Sequence, residues 1–357
     1  MAVEWEAMRW DWVTPELALR EWRERIARVA EEEAAHLASL PYVDGVAVIG
    51  SVGRGSAWPL SDVDLLVVAR FWEGRDPEYP IREVEEERRL RLQGLKIPND
   101  LEAANWVLLT EDVAAAREEQ EEAFLRRLEH PHWLGIVIKG QDARVLHDTD
   151  GHTAAFVERC DGAFGSAGFR ELWLGRVVGD AREELASAEA HLARGERGRA
   201  SAEAMAAAHT MTGGAYAVWG KIPQSLTRSV TRFLAAAEEA GDGVMGERFL
   251  AAARLGGEET RRRQAAAPPA GQREREVALA IRRGAGEDVD ELGVTRDLLQ
   301  ATFWLQVGMA ADRSGPYPEW TGVTEAEEEV GVQLEAARGM LGRLESELGR
   351  MGAAGGE

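Results

Sequence analysis

The sequence predicts an α+β protein, with a mixed sheet flanked by helices over residues 1–152 and an α-helical domain over residues 153–357. A chain of 357 residues exceeds the usual size of one domain, so two domains are expected. Up to about residue 150, short apolar runs bounded by glycine, proline and aspartate alternate with amphipathic segments, which indicates strands alternating with helices. Beyond that point such runs disappear, and long segments rich in alanine and leucine follow.

The first domain is expected to begin with a tryptophan-rich segment and a helix that Thr14 caps and Pro15 opens. The next elements predicted there are strands over 46–49 and 65–68, a charged helix over 78–93 and a strand over 101–109. A helix capped by residues 110–112 and running to about Leu128 follows, and then strands over 133–138 and 143–146 joined by a hairpin-like turn.

The second domain is expected to be all-α. Its predicted helices cover residues 167–194, 199–219 and 223–240. Residues 257–272, which contain the arginine triplet Arg261–Arg263 and two prolines, are predicted to be a surface connection. Residues 273–357 are predicted to add further helices.

Composition narrows the classes of partner. The formal net charge of −21 disfavours a long nucleic acid, which needs a basic footprint, and suits a small cationic substrate. No apolar run is long enough to span a bilayer, and the N-terminus does not have the pattern of a signal peptide. A single cysteine, Cys160, fits a reducing compartment. We therefore expect a cytoplasmic protein, either monomer or homodimer, with no membrane contact.

Residues 50–64 carry the strongest functional signal. This stretch lies between two apolar runs, so it is predicted to be a glycine-rich turn between two strands. Asp62 and Asp64 alternate onto the same face of the second strand. Because unpaired carboxylates in a buried strand are costly, a divalent cation is the simplest compensation. A glycine turn that begins with a serine, Gly50–Ser51, is suited to presenting N–H groups to phosphate.

This combination resembles the signature of the nucleotidyltransferase superfamily, which has the fold of DNA polymerase β. The match consists of Gly50–Ser51, ten intervening residues, and then Asp62, Val63, Asp64 and Leu65 in an acidic–apolar alternation. The resemblance implies transfer of a nucleoside monophosphate from ATP or another nucleoside triphosphate. It also implies two Mg²⁺ ions held by Asp62 and Asp64, which are the catalytic carboxylates of the motif.

The resemblance further implies a third carboxylate on a neighbouring strand, which would help hold the metals and activate the attacking hydroxyl. Glu102 and Asp100 are the candidates, and they alternate onto one face of the predicted third strand. Glu102 is favoured because it lies further inside that strand, and Asp100 stays as the alternative.

Five residues are candidates for phosphate binding. Gly50 and Ser51 are expected to hold the β- and γ-phosphates. Arg54, from the same turn, is expected to clamp phosphate, unless it faces solvent. Ser61 either donates to phosphate or caps the strand. Lys221 of the helical domain, or Arg228 as the alternative, is expected to complete the triphosphate pocket, unless these residues are ordinary surface cations.

In overall plan the chain resembles aminoglycoside adenylyltransferases, in which a helical domain completes the acceptor site. Residues 200–232 resemble part of that domain: a long helix, an aromatic pair and a glycine turn. The resemblance implies a small acceptor with amino groups, bound by carboxylates of the helical domain. The carboxylates available for this role are Glu171, Asp180, Glu183, Glu184 and Glu203.

Two other hypotheses stay open at this point. The domain can belong to a nucleotidyltransferase that modifies a protein or an RNA end, including the antitoxin type. It can also be a non-catalytic nucleotide-binding protein of the same fold. Other reactive residues give weaker functional signals. The close pair His130 and His132 lacks a third ligand for zinc, and Cys160 lies in a predicted helix without a catalytic partner.

Overall fold

The structure, a computed structural model, describes residues 19–57, 63–71, 82–84, 86, 106–223, 228–284, 290–308, 313 and 317–354. The chain divides into two compact units, the first ending at Phe169 and the second beginning at Arg170. The α+β prediction is confirmed, because the first unit holds a mixed sheet with helices and the described part of the second is helical. Within those ranges, no helix is long and apolar enough to cross a bilayer.

As far as it is described, the first unit is built from four strands, six helices of which one is a single turn, and further helical residues at 82–84 and 86. In chain order these elements are α1 (Leu19–Ala38), β1 (Val43–Val48), the one-turn helix Gly50–Gly53 (called the glycine turn below), β2 (Leu65–Ala69), β3 (Val107–Leu109), α2 (Thr110–Glu118), α3 (Glu121–Arg127), α4 (Pro131–Lys139), β4 (Arg144–Asp148) and α5 (His152–Phe164).

The four strands form one sheet in the order β3-β2-β1-β4. Strand β1 pairs antiparallel with both β2 and β4, whereas β2 and β3 are parallel, which makes the sheet mixed. All residues of β1 and β2 are buried, and α1 contributes Ile26 and Leu37 to the same core. Beyond the last β1–β2 pair, the Ile49 N–H donates to the carbonyl of Asp64 at 3.0 Å. The sheet therefore fixes Asp64 beside the glycine turn.

Most predicted elements of the first unit are confirmed, with shifts at their ends. The predicted helix over 110–128 is two helices, α2 and α3, because the chain is extended at Glu119 and Gln120. Thr110 does not cap α2: its hydroxyl donates to Asp44 at 2.7 Å, and Leu109 is the N-cap residue. The predicted cap at Thr14 lies outside the described residues.

The predicted strand over 133–138 is wrong, because these residues belong to helix α4. Pro131 occupies the first turn, and the His130 side chain accepts a hydrogen bond from the His132 N–H at 3.3 Å, which is an N-cap arrangement. Leu134 and Val137 face the core from this helix. The predicted hairpin turn at 139–142 therefore connects α4 to β4.

Helix α5 packs against β1, β4 and α2. The first unit thus continues past residue 152, where the sequence analysis places the domain boundary. Cys160 lies on α5, as predicted for a helix, and is buried. Burial raises the pKa of its thiol, which disfavours the thiolate that a nucleophile needs.

The second unit contains helices α6 to α13 within the described ranges. They are α6 (Ala167–Ala193), α7 (Arg197–Trp219), α8 (Ser229–Glu239), α9 (Gly243–Ala252), α10 (Gly257–Ala266), α11 (Pro269–Gly284), α12 (Glu291–Phe303, continued by a π-helical turn, Trp304–Gly308) and α13 (Glu327–Ala354). Helix α13 packs along α7 and α9. At the start of α12 the Asp290 side chain accepts from the Leu292 N–H at 3.0 Å, an N-cap contact.

The stretch predicted to be a surface connection, residues 257–272, is instead helix α10 and the start of α11. Arg263 of that stretch is fully buried. Its guanidinium donates to four backbone carbonyls at 2.8–3.2 Å, those of Ala253, Arg254, Trp320 and Thr321. Arg263 therefore anchors α10 to the rest of the second unit.

Gly45 of β1 offers a test of how α5 packs on the sheet. A Cβ atom at this position would lie 1.8 Å from the Thr153 hydroxyl oxygen of α5. We expect Gly45→Ala to lower the free energy of unfolding of the first unit by about 1–3 kcal/mol, because the buried Thr153 and the helix that carries it must shift. Native-state hydrogen exchange of the β1 and β2 amides measures this loss.

Gly162, on the exposed side of α5, is the matched control. Nothing lies within 4 Å of a Cβ atom there, so Gly162→Ala should leave stability unchanged or raise it by up to about 1 kcal/mol. Equal effects of the two substitutions would contradict the packing described for Gly45.

Candidate active site

Asp64 is the described carboxylate of the predicted motif, and it is buried where β2 begins. Its side chain is only 6% exposed. The neighbouring residues Val63 and Leu65 are buried and apolar, so little solvent is available to stabilise the charge. A carboxylate in this position requires a cation or hydrogen-bond donors nearby.

The glycine turn approaches Asp64 more closely than any residue with a side chain would allow. A Cβ atom on Gly50 would lie 2.4 Å from Asp64 Oδ2, and the φ angle of Gly50 is +66°, in the left-handed region. A Cβ atom on Gly53 would lie 2.4 Å from the Val48 carbonyl oxygen. The two glycines therefore allow the backbone of the turn to approach the Asp64 carboxylate. Ser51 lies between Gly50 and Gly53 in the same turn.

Lys139 provides a cation for Asp64. Its Nζ lies 3.0 Å from Asp64 Oδ1, and the same ammonium lies 5.1 Å from the centre of the Trp106 ring, within range of a cation–π contact. Sequence reasoning missed Lys139 because it placed the residue in a turn between two strands. The helix start at Pro131 was the signal in the sequence that could have placed Lys139 on a helix.

Arg54, which follows the glycine turn, is a second cation near Asp64. Burial lowers its pKa, and the negative charges of Asp142 and Asp64 raise it. One guanidinium nitrogen, Nη1, is buried and has no hydrogen-bond partner within the described part of the chain. Buried donors are nearly always satisfied, so this nitrogen points to an anionic ligand.

The Trp106 ring, which lies close to the Lys139 ammonium, also packs against the His132 ring. The two rings are stacked, with centroids 5.9 Å apart and planes 15° from parallel. Burial lowers the pKa of His132, which favours a neutral imidazole at pH 7. The His132 ring therefore adds no positive charge beside Trp106.

The other predicted metal ligands, Asp62, Glu102 and Asp100, lie outside the described residues, as does Ser61. Over the ranges that the structure does describe, no three His, Cys, Asp or Glu side chains are grouped as metal ligands. Asp64 by itself fits a cation, because it is buried and one of its oxygens already accepts a positively charged group.

Residues nominated in the second unit make contacts of their own. Lys221 forms an ion pair with Glu239, and Arg228 is buried at the start of α8. Among the carboxylates suggested for acceptor binding, Asp180 pairs with Arg176. The carboxylates of Glu184 and Glu203 both contact the guanidinium of Arg313.

Residues 30–125 match the family model described as a nucleotidyltransferase domain. The matched range contains β1, the glycine turn, Asp64, β2, β3 and α2. No curated protein and no solved structure matches the chain. The match confirms the resemblance that was carried by residues 50–65, and it says nothing about aminoglycosides.

Gly50 and Gly55 separate the role of backbone conformation from that of contact with Asp64. Both have φ near +65°, but nothing lies within 4 Å of a Cβ atom on Gly55. We expect Gly55→Ala to cost about 1–2 kcal/mol of stability through backbone strain alone. Gly50→Ala should cost at least about 1 kcal/mol more, because the methyl group collides with the Asp64 carboxylate. Urea unfolding of both variants measures the difference, and equal losses would contradict the contact.

Proposed function

The chain carries a nucleotidyltransferase domain over residues 30–125, and on that premise we propose that it transfers AMP from ATP to a hydroxyl group of a small cationic acceptor such as an aminoglycoside. The observation that carries the proposal is the buried Asp64 carboxylate packed against the glycine turn. The arrangement supports the proposal because the carboxylate proposed to bind metal contacts the backbone proposed to bind phosphate, and both lie within the matched residues.

In this proposal Asp64 and Asp62 hold two Mg²⁺ ions, together with Glu102 or, as the alternative, Asp100. When bound, such ions neutralise charge on the attacked phosphate and lower the pKa of the attacking hydroxyl. The chain's own contribution is to fix Asp64 in place through its backbone hydrogen bond to Ile49. A carboxylate that is already positioned needs no reorganisation during the reaction.

Arg54, Gly50 and Ser51 are proposed to hold the triphosphate. The buried, unpartnered Nη1 of Arg54 supports this role, since a phosphate oxygen is the kind of acceptor it lacks among the described residues. Ser61, which lies outside the described residues, keeps its proposed part. The role of Lys221 stays a prediction, and its ion pair with Glu239 is also what a surface cation would make.

The cationic acceptor is supported by the net charge of −21, which attracts and concentrates small cations near the surface. Modification of an aminoglycoside would make the protein an antibiotic-resistance enzyme acting in the cytoplasm. Glu184 and Glu203 share Arg313, so they are less available to an acceptor than Glu171 and Glu183, which pair with no cation in the described part of the chain.

The reaction is tested by measuring pyrophosphate release with ATP, Mg²⁺ and a panel of aminoglycosides. We expect Asp64→Asn to reduce turnover by about a thousandfold or more, because several kcal/mol of metal-mediated stabilisation are lost. Glu31→Gln is the matched control, since Glu31 is half-exposed and pairs with Arg144 in the same unit, so its turnover should be unchanged. Folding of each variant is checked by circular dichroism.

Full turnover by Asp64→Asn would contradict the assignment of Asp64. If no acceptor in the panel supports turnover but ATP with Mg²⁺ still raises the melting temperature, the acceptor is a different one or the protein only binds nucleotide. If folded protein shows no nucleotide-induced shift in melting temperature, nucleotidyl transfer itself is wrong.

Arg54→Gln tests the phosphate clamp. Loss of a charged hydrogen bond to phosphate should raise the KM for ATP roughly 10- to 100-fold. If Arg54 binds the triphosphate equally in the ground and transition states, kcat should stay the same. Arg117→Gln, which removes an arginine paired with Glu118 on α2, should leave both constants unchanged. An unchanged KM in folded Arg54→Gln would rule out the clamp.

A further inference from the structure

Among the described residues, three features that attract a cation surround the ammonium group of Lys139. Asp64 Oδ1 lies 3.0 Å from Nζ, and the face of the Trp106 ring lies 5.1 Å away. Lys139 is also the last residue of α4, where the negative end of the helix dipole favours positive charge. All three are positioned by the fold of the first unit.

The choice of lysine stands out against the rest of the chain. Of 42 basic residues, three are lysines: Lys96, Lys139 and Lys221. A lysine ammonium is a compact point charge on a flexible stem, whereas an arginine guanidinium forms a fixed, planar fork. At 37% exposure the Lys139 side chain has room to leave Asp64 and re-enter water. A compact ammonium that can move away from Asp64 is suited to a carboxylate that must also bind another cation.

We propose that Lys139 competes directly with the divalent cation for the Asp64 carboxylate and thereby sets the metal affinity of the site when no nucleotide is bound. The inference rests on the proposed function, because it takes Asp64 to be a metal ligand. Lys139 acts here as a positioning residue: it keeps the buried carboxylate paired until the metal arrives and then releases Oδ1.

The physical basis is the cost of leaving Asp64 unpaired. A buried carboxylate without a partner loses much of its solvation, so the metal-free site is stabilised by Lys139. The metal must break this ion pair before it can bind Asp64. The free energy of the ion pair is therefore lost from the free energy of metal binding. A metal that arrives bound to a nucleoside triphosphate also gains the contacts that the phosphates make with the protein. The competition therefore favours metal that arrives with nucleotide over metal alone.

The test measures the affinity of the nucleotide-free protein for Mn²⁺ alone, by the electron paramagnetic resonance signal of free Mn²⁺. We expect Lys139→Met to bind Mn²⁺ about tenfold more tightly than the wild type, because a charged hydrogen bond no longer has to be broken. Methionine keeps an apolar stem against Trp106. Asp64→Asn introduced into Lys139→Met should remove this gain.

Arg144→Met is the matched control, because it removes one positive charge from the same unit at a residue that pairs with Glu31 and not with Asp64. Its Mn²⁺ affinity should equal that of the wild type. The proposal is overturned if folded Lys139→Met binds Mn²⁺ no more tightly than the wild type. It is also overturned if Arg144→Met shows the same gain or if Asp64→Asn leaves the gain in place.

These outcomes are separate from the proposed function. A gain in Mn²⁺ affinity in a protein whose melting temperature does not shift with nucleotide would support the competition and contradict the transfer reaction. Turnover that depends on Asp64, without a gain in Mn²⁺ affinity in Lys139→Met, would support the transfer reaction and contradict the competition.

Discussion

The burial of one carboxylate, Asp64, constrains the rest of the candidate site. Its backbone is tied to Ile49 at the end of the β1–β2 pairing, so the side chain cannot move out to solvent without breaking the sheet. The carboxylate then needs positive charge close by, and the fold supplies it through Lys139 and Arg54. It also needs space, which the missing side chain of Gly50 provides. The sheet register thus buries the carboxylate, and the glycine and the two cations accommodate the buried charge.

The parts of this arrangement that sequence predicted are those that lie close together along the chain. Gly50 and Asp64 belong to one strand–turn–strand unit, so spacing and apolar flanks were enough to bring them together. Lys139 lies 75 residues from Asp64, and its contact depends on how α4 packs on the sheet. The apolar run over 133–138 fits a strand as well as a buried helix, and periodicity alone does not separate them. The start signal at Pro131 was the better guide.

The second unit shows a different limit of sequence reasoning. Three consecutive arginines suggested a surface, and Arg261 and Arg262 are indeed exposed. Arg263 points inward instead, where four carbonyls satisfy its donors. Burial lowers its pKa to about 9, so the guanidinium remains mostly charged at pH 7 and those four hydrogen bonds stabilise it. Composition cannot predict this, because the acceptors belong to turns that come together only in the folded unit.

Two buried aspartates illustrate what separates a fixed ion pair from one that can open. Asp297 accepts from two backbone N–H groups at the start of α8, from the Thr231 hydroxyl and from Arg282, with every distance between 2.6 and 2.9 Å. Both Asp297 and Arg282 are almost fully buried, and the planar guanidinium is held in one geometry. Asp64 is equally buried, but its ion-pair partner is a half-exposed lysine with a flexible stem. The first arrangement ties α12 to α8 and α11, whereas the second is the one that we propose exchanges one cation for another. That difference in partner, and not the burial of the acid, is what distinguishes Asp64 as the proposed metal ligand.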